Sequence, residues 1–166
     1  MPCLRGRIHG GHFKVENAAK RITSKPGVEP LLRAPPPASD KLAPMATSEV
    51  ATQLVALCRE GKFLDAVETL YGGGVVSIEA IDYQGMGREM HGKENVKSKN
   101  RSWFEDNNVN SVSVTGPFVG PERFAVWYSF DWTRKASGER VQLNEVAVYT
   151  VMDGKISREE FLYAAP

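Results

Sequence analysis

Two glutamates sit inside otherwise apolar, β-branched runs: Glu79 in LYGGGVVSIEAID and Glu145 in VQLNEVAVYTV. A carboxylate in the middle of a strand either faces water or points into a pocket. In a pocket, burial disfavours the anion and raises the pKa toward the range useful for moving a proton at a carbon next to a carbonyl. Two carboxyls in one dry pocket push each other's pKa values apart, leaving one as base and the other as acid. Register decides which case holds, because a slip of one residue reverses the face of every side chain. Glu79 shares its face with Val75 and Ser77.

Aromatic residues supply the remaining candidates. In AVWYSFDWT, Trp127 and Asp131 share one face, while Phe124, Val126, Tyr128, Phe130 and Trp132 share the other. The denser stripe reads as core or dimer surface; a pocket containing Trp127, with Asp131 near its mouth, is the functional alternative. Trp103 reads as a core residue that also lines a cavity, and Tyr149 joins Trp103, Trp127 and Asp131 as a substrate-binding candidate. His91, in a glycine-bearing loop, and Lys99, one of several lysines on its helix, read as solvated. Arg158 and Glu160 share a face opposite Phe161 and Tyr163, either as a surface pair or as part of a pocket floor. Histidines at 9, 12 and 91 and cysteines at 3 and 58 give neither a zinc spacing nor a disulfide framework, so no metal and no cofactor are expected.

The elements that must position these residues are legible from Met45 onward. Val50, Leu54, Leu57 and Cys58 fall at helical spacing, with Thr47 or Ser48 as N-cap and Gly61 as the stop. A second helical stripe runs through Phe63, Ala66, Val67 and Leu70 and is expected to end at Gly72 to Gly74. Val75 to Ile81 reads as a strand, DYQGMGREMHG as a loop, and KENVKSKNRSWFEDN as a helix with Val96, Asn100, Trp103 and Phe104 on one side. Four β runs follow, separated by GPE, KASG and MDG, which are hairpin-type connections. The order αα-β-α-ββββ predicts an α+β domain with helices on one face of a curved antiparallel sheet.

Length and charge bound the rest. With 166 residues, 42% of them hydrophobic and 25% charged, the chain accommodates one domain with a real core. Residues 1–44 hold seven of the ten prolines, with eight basic residues against three acidic, whereas the remainder holds 13 against 17. The tail lacks helical or strand periodicity and is expected to be disordered. It is either a misassigned start upstream of Met45 or a targeting segment. The acidic balance of residues 45–166 argues against nucleic acid as a partner. No apolar run is long enough to span a bilayer and no signal-peptide core is recognisable, so a soluble, cytoplasmic protein without a membrane partner is expected.

Element order together with LVALCREGKFLDAVETLY, VVSIEA, GKENVKSKNRSWF and NEVAVYTVMDGKISREEFLY resembles the nuclear transport factor 2-like superfamily. Within it, the resemblance is to the SnoaL-like and ketosteroid isomerase-like proteins, over residues 47–163. The resemblance implies a cone-shaped, cystatin-like sheet against three helices, a homodimer through the outer sheet face, and a deep apolar pocket. It implies a small apolar ligand of polyketide, terpenoid or aromatic-ketone type, and proton-transfer chemistry of an isomerase or cyclase. Glu79 matches the position of the isomerases' catalytic base, and Glu145, or Val146 one residue on, that of their protonated acid. Leu54 stands where those isomerases carry an oxyanion-donating tyrosine, which speaks against steroid isomerisation itself. Epoxide hydrolysis would need an aspartate, arginine, aspartate relay of which only Asp131 is evident, and the dehydratase chemistry of other relatives would want pocket histidines. The fold also serves non-catalytic binding and assembly modules, so enzyme and binding module both stay open.

Overall fold

The computed structural model describes residues 44–82, 85 and 87–164. The expectations for the basic, proline-rich segment fall, up to residue 43, outside the described residues. The elements are α1 (Thr47–Arg59), α2 (Phe63–Leu70), β1 (Tyr71–Ile78), β2 (Glu89–His91), α3 (Lys93–Asp106), β3 (Asn107–Val119), β4 (Arg123–Arg134), β5 (Arg140–Met152) and β6 (Lys155–Leu162). Six strands form one curved, unclosed sheet in the order β2-β1-β6-β5-β4-β3. The last four make the expected antiparallel meander, but β1 runs parallel to β6, so the sheet is mixed.

Three local departures have physical causes. The N-cap of α1 is Ala46, not Thr47 or Ser48; the Glu49 carboxylate reaches back to accept the Ala46 N–H at 2.9 Å, one half of a capping box. The glycine triplet does not stop α2 from outside a strand. It lies inside β1, which starts directly at Tyr71, and the ladder to β6 is irregular between Tyr71 and Val76. Within the stretch expected to be a loop, Glu89–His91 form the three-residue strand β2, which pairs antiparallel with β1.

Two turns need glycine. Gly61, at φ 73°, lets the chain leave α1 with its N–H on the Cys58 carbonyl and that of Lys62 on Leu57. In the β5–β6 hairpin, Asp153 and Gly154 both have positive φ, 51° and 72°, the signature of a type I′ turn. A side chain at Gly154 would also meet the Met45 nitrogen at 2.6 Å.

The core lies between the helices and the concave face of the sheet. Val50, Leu54 and Val55 of α1 and Val67 and Leu70 of α2 pack with Val75, Phe124, Val126, Ala147 and Ile156 of the strands. Helix α3 is the polar exception: its only fully buried residues are Val96 and Lys99. No helix among the described residues is long and apolar enough to cross a membrane.

Candidate functional site

Alternation along three strands directs the chemistry inward. Val75, Ser77 and Glu79 share the inner face at the end of β1, and β5 turns Leu143, Glu145 and Tyr149 the same way. In β6 the ladder to β5 shifts between Thr150 and Val151, so Ile156 and Glu159 both point inward although three residues apart. Glu79, Leu143, Glu145, Tyr149 and Glu159, with Tyr128 and Phe130 of β4, line a cavity of about 930 Å³. That volume suits a drug-sized or fused-ring molecule.

At the closed end of the cavity lies a buried polar cluster. Lys99, 7% exposed, reaches from α3 to donate to Glu79 Oε1 at 2.5 Å and to Ser77 Oγ at 2.9 Å. Its ammonium stands 3.8 Å from Glu159 Oε1 and 4.9 Å from the centre of the Phe161 ring. Tyr163 donates to the other oxygen of Glu79 at 3.0 Å, and Tyr71 donates to Glu159 Oε2 at 2.5 Å. Backbone hydrogen bonding fixes Glu79 itself: its N–H donates to the Arg88 carbonyl and its own carbonyl accepts from Arg88 Nε.

Glu145 faces the same cluster and behaves differently. Burial first, then the charge of Glu79, push its carboxyl up from 4.5 to about 8; Lys99 opposes them, and Glu159 adds the smallest upward push. At neutral pH it is therefore a proton donor beside carboxylates. Next to it are two buried phenols, Tyr128 and Tyr149, whose oxygens lie 3.0 Å apart and whose ionisation burial pushes well above the ordinary range. Burial likewise pushes the Cys58 thiol up to about 11, which leaves it a packing group and not a nucleophile.

The raised carboxyl of Glu145 has a stability consequence. The folded protein holds a proton there that the unfolded chain releases, so stability declines as pH rises from about 4.5 to about 8. Glu145→Gln is expected to remove that decline and to be more stable than the parent at pH 9. Urea unfolding of both proteins at pH 5, 7 and 9 checks this, and parallel pH profiles would show Glu145 to be solvated.

The other candidates separate cleanly. Trp103 and Tyr149 line the cavity; Trp103 packs edgewise on Phe104 and Trp132 at 5.1 and 5.5 Å. Trp127 and Asp131 do not, because the alternation of β4 turns them to the outer face while Tyr128, Phe130 and Trp132 point in. Asp131 is held there by the Arg140 guanidinium at 2.6 and 2.8 Å, with Asn110 and Gln142, which keeps its carboxyl well below the usual range. His91 is exposed beside Glu89. Leu54 lines the cavity as the resemblance has it, but Tyr128 and Tyr149 bring phenols into the same space from the sheet.

Sequence reading missed Lys99, Glu159, Tyr71 and Tyr163. Lys99 was recoverable from spacing: with Val96 and Trp103 it makes an i, i+3, i+7 stripe, as good a claim to the inner face as the i, i+4, i+7 stripe through Asn100, and both line the cavity. Among the described residues, no group of histidine, cysteine, aspartate and glutamate side chains is arranged to hold a metal ion.

Comparison with known proteins gives the family and the fold. The family model for a SnoaL-like domain matches residues 45–163. A candidate SnoaL-like polyketide cyclase from Mesorhizobium loti is 39% identical, with a TM-score of 0.68 over 72% of this chain and 100% of that one. An NTF2-like protein from Burkholderia thailandensis shares the fold at 10% identity, TM-score 0.62, over 72% of this chain and 92% of that one. A ketosteroid isomerase-like protein from Catenulispora acidiphila, solved with trimethylamine, does so at 16% identity, TM-score 0.56, over 71% and 87%. No curated protein matches the chain significantly. Family match, relative and fold agree: this chain belongs to the SnoaL-like domain family.

Proposed function

We propose that the cavity binds a small, mostly apolar carbonyl compound, of polyketide, terpenoid or aromatic-ketone type, and moves a proton at the carbon next to its carbonyl. The observation that carries this reading is the pairing of unlike carboxyls on one cavity. Glu79 accepts hydrogen bonds from Lys99 and Tyr163, and Glu145 keeps its proton at pH 7. With the carbonyl oxygen at Glu145, its O–H donates as negative charge develops there. The neighbouring C–H gives its proton to Glu79, producing an enolate held by the hydrogen bond from Glu145, and return of that proton from Glu79 to a different carbon completes an isomerisation. Trp103 and Phe130 supply apolar walls that exclude water and so strengthen the hydrogen bond from Glu145. The reaction needs no cofactor.

The test is exchange of solvent deuterium into the α position of a fused-ring ketone by the full chain, followed by proton NMR. Exchange above the buffer rate is expected. Binding of the ketone without exchange would replace this reading by a ligand-binding module of the same fold.

The dimer expected from the resemblance is proposed here for the outer face of β4 and β5. Trp127 pairs across the ladder with Val146, and Ala125 with Val148, so four apolar residues stand together on the side away from the helices. A second copy of the chain is the occupant proposed for this patch. Trp127→Glu places a charge at its centre and is expected to turn a dimer into a monomer with the far-UV circular dichroism unchanged. Light scattering after size exclusion reads the mass; a wild-type monomer at tens of micromolar would remove the proposal.

A further inference from the structure

The buried cluster holds more acid than base. Among the described residues, Glu79 and Glu159 share the ammonium of Lys99, with Glu145 beside them. Lys99 donates to Glu79 and Ser77. Glu159 is 2% exposed, and although its Oε2 accepts from Tyr71, no donor among the described residues hydrogen-bonds Oε1. A buried carboxylate oxygen without a donor costs about 1–3 kcal/mol or more, and buried charges persist where they are paired. Glu159 is also one of the residues lining the cavity.

The rim leans the same way. Asp82, Glu105 and Asp106 line the opening with Arg134 and Lys135. Arg134 is paired with Glu139, and Lys135 Nζ is held by the carbonyls of Phe104 and Glu105.

We infer that the ligand of this cavity carries a protonated amine on its apolar body, and that Glu159, whose Oε1 has no open surface here, turns to accept from the ammonium while the apolar part lies between Trp103, Phe130 and Trp132. A second ammonium would balance the cluster at two carboxylates and two cations, and would supply the donor that Oε1 lacks. Hydrogen bonds between charged partners are about twice as strong as neutral ones, so an amine gains more at this oxygen than a hydroxyl does. The inference rests on the cavity being the ligand site and names the class of ligand it takes.

The arrival of a cation would also move a proton. Glu145 lines the cavity together with Glu79 and Tyr71 from the β1 side, Lys99 from α3, Cys58 from α1, Tyr128 from β4, Tyr149 on its own strand, and Glu159 and Tyr163 from β6 and the residue after it. Since the negative charges of Glu79 and Glu159 help keep its proton on, a positive charge placed beside them favours release.

The experiment compares 2-(2-naphthyl)ethylamine with 2-(2-naphthyl)ethanol, one skeleton with and without the charge, by calorimetry on the full chain at pH 7 in two buffers of different ionisation enthalpy. The amine is expected to bind about tenfold more tightly or better, with proton release seen as a buffer-dependent enthalpy. Glu159→Gln, which keeps the acceptor for Tyr71, is expected to abolish the preference. Equal affinity of amine and alcohol for the parent protein overturns the inference and leaves the small-molecule reading standing. Binding of neither at millimolar concentration overturns both. A preference that survives in folded Glu159→Gln removes Glu159 as the recognising group and with it the inference.

Discussion

Glu79→Gln is expected to lower the rate of α-proton exchange into a bound ketone by about 10²–10⁴, the range a positioned general base contributes. Gln keeps the shape of the side chain and an oxygen that accepts from Lys99 or Tyr163, so binding of the ketone should change little. The loss then falls on the chemical step and not on affinity, which is the signature of an interaction made in the transition state. A second readout separates this from a merely structural role. The charge of Glu79 is among the causes that raise the Glu145 carboxyl to about 8, so exchange by the parent protein should fall above that pH as the donor ionises. In Glu79→Gln the residual activity should fall at lower pH, because one of the charges that hold the proton on Glu145 is gone. Unchanged exchange in Glu79→Gln would exclude Glu79 as base. Loss of exchange with no movement of the alkaline limb would mean that the two carboxyls do not share a site.

What the sequence could disclose depended on how local the determining interactions are. Helices α1 and α2 follow from apolar spacing within a few residues, and the β3–β6 meander from alternation bounded by turn residues. Placing Glu79 on the face of Val75 and Ser77 needed only the period of two. Three features needed partners far along the chain. The glycine triplet reads as a helix stop, yet it lies within β1, whose ladder to β6, some 80 residues later, is made at Tyr71 before it and from Val76 after it. Glu159 is hidden by the shift in the β5–β6 ladder, since strict alternation from Ile156 would turn it outward. Trp127 and Asp131 went to the wrong side of β4 for a pocket because alternation shows which residues share a face but not which face meets the helices. Here Phe124, Val126 and Tyr128 settle that by packing against α1 and α2. Lys99 was misread by composition: on a helix with lysines at 93, 97 and 99, charge suggested water, while its position over Glu79 and Glu159 gives it carboxylate partners inside the protein.

The largest effect on stability is expected at that lysine. Lys99→Met fills similar space with an apolar chain but leaves Glu79 with Tyr163 and Glu159 with Tyr71 as their remaining hydrogen-bond donors. Removing one member of a buried ion pair typically costs about 3–5 kcal/mol, because the charge left behind is uncompensated. In a domain of this size that lowers the melting temperature by about 10–20 °C. The carboxylates can limit the cost by taking up protons, so the folded variant should bind more protons than its unfolded chain. Its stability must then fall as pH rises. The deficit relative to the parent should accordingly be smaller at pH 5 than at pH 8, as urea unfolding at the two values would show. The double variant Lys99→Met with Glu79→Gln removes a charge from each side of the pair and should recover part of the loss, giving a coupling energy between two residues 20 positions apart in the chain. A deficit below about 1 kcal/mol at pH 8, the worth of an exposed pair, would mean that water reaches the cluster. Both the proton on Glu145 and the ammonium preference of Glu159 would then lose their physical basis, since each depends on the same dry pocket.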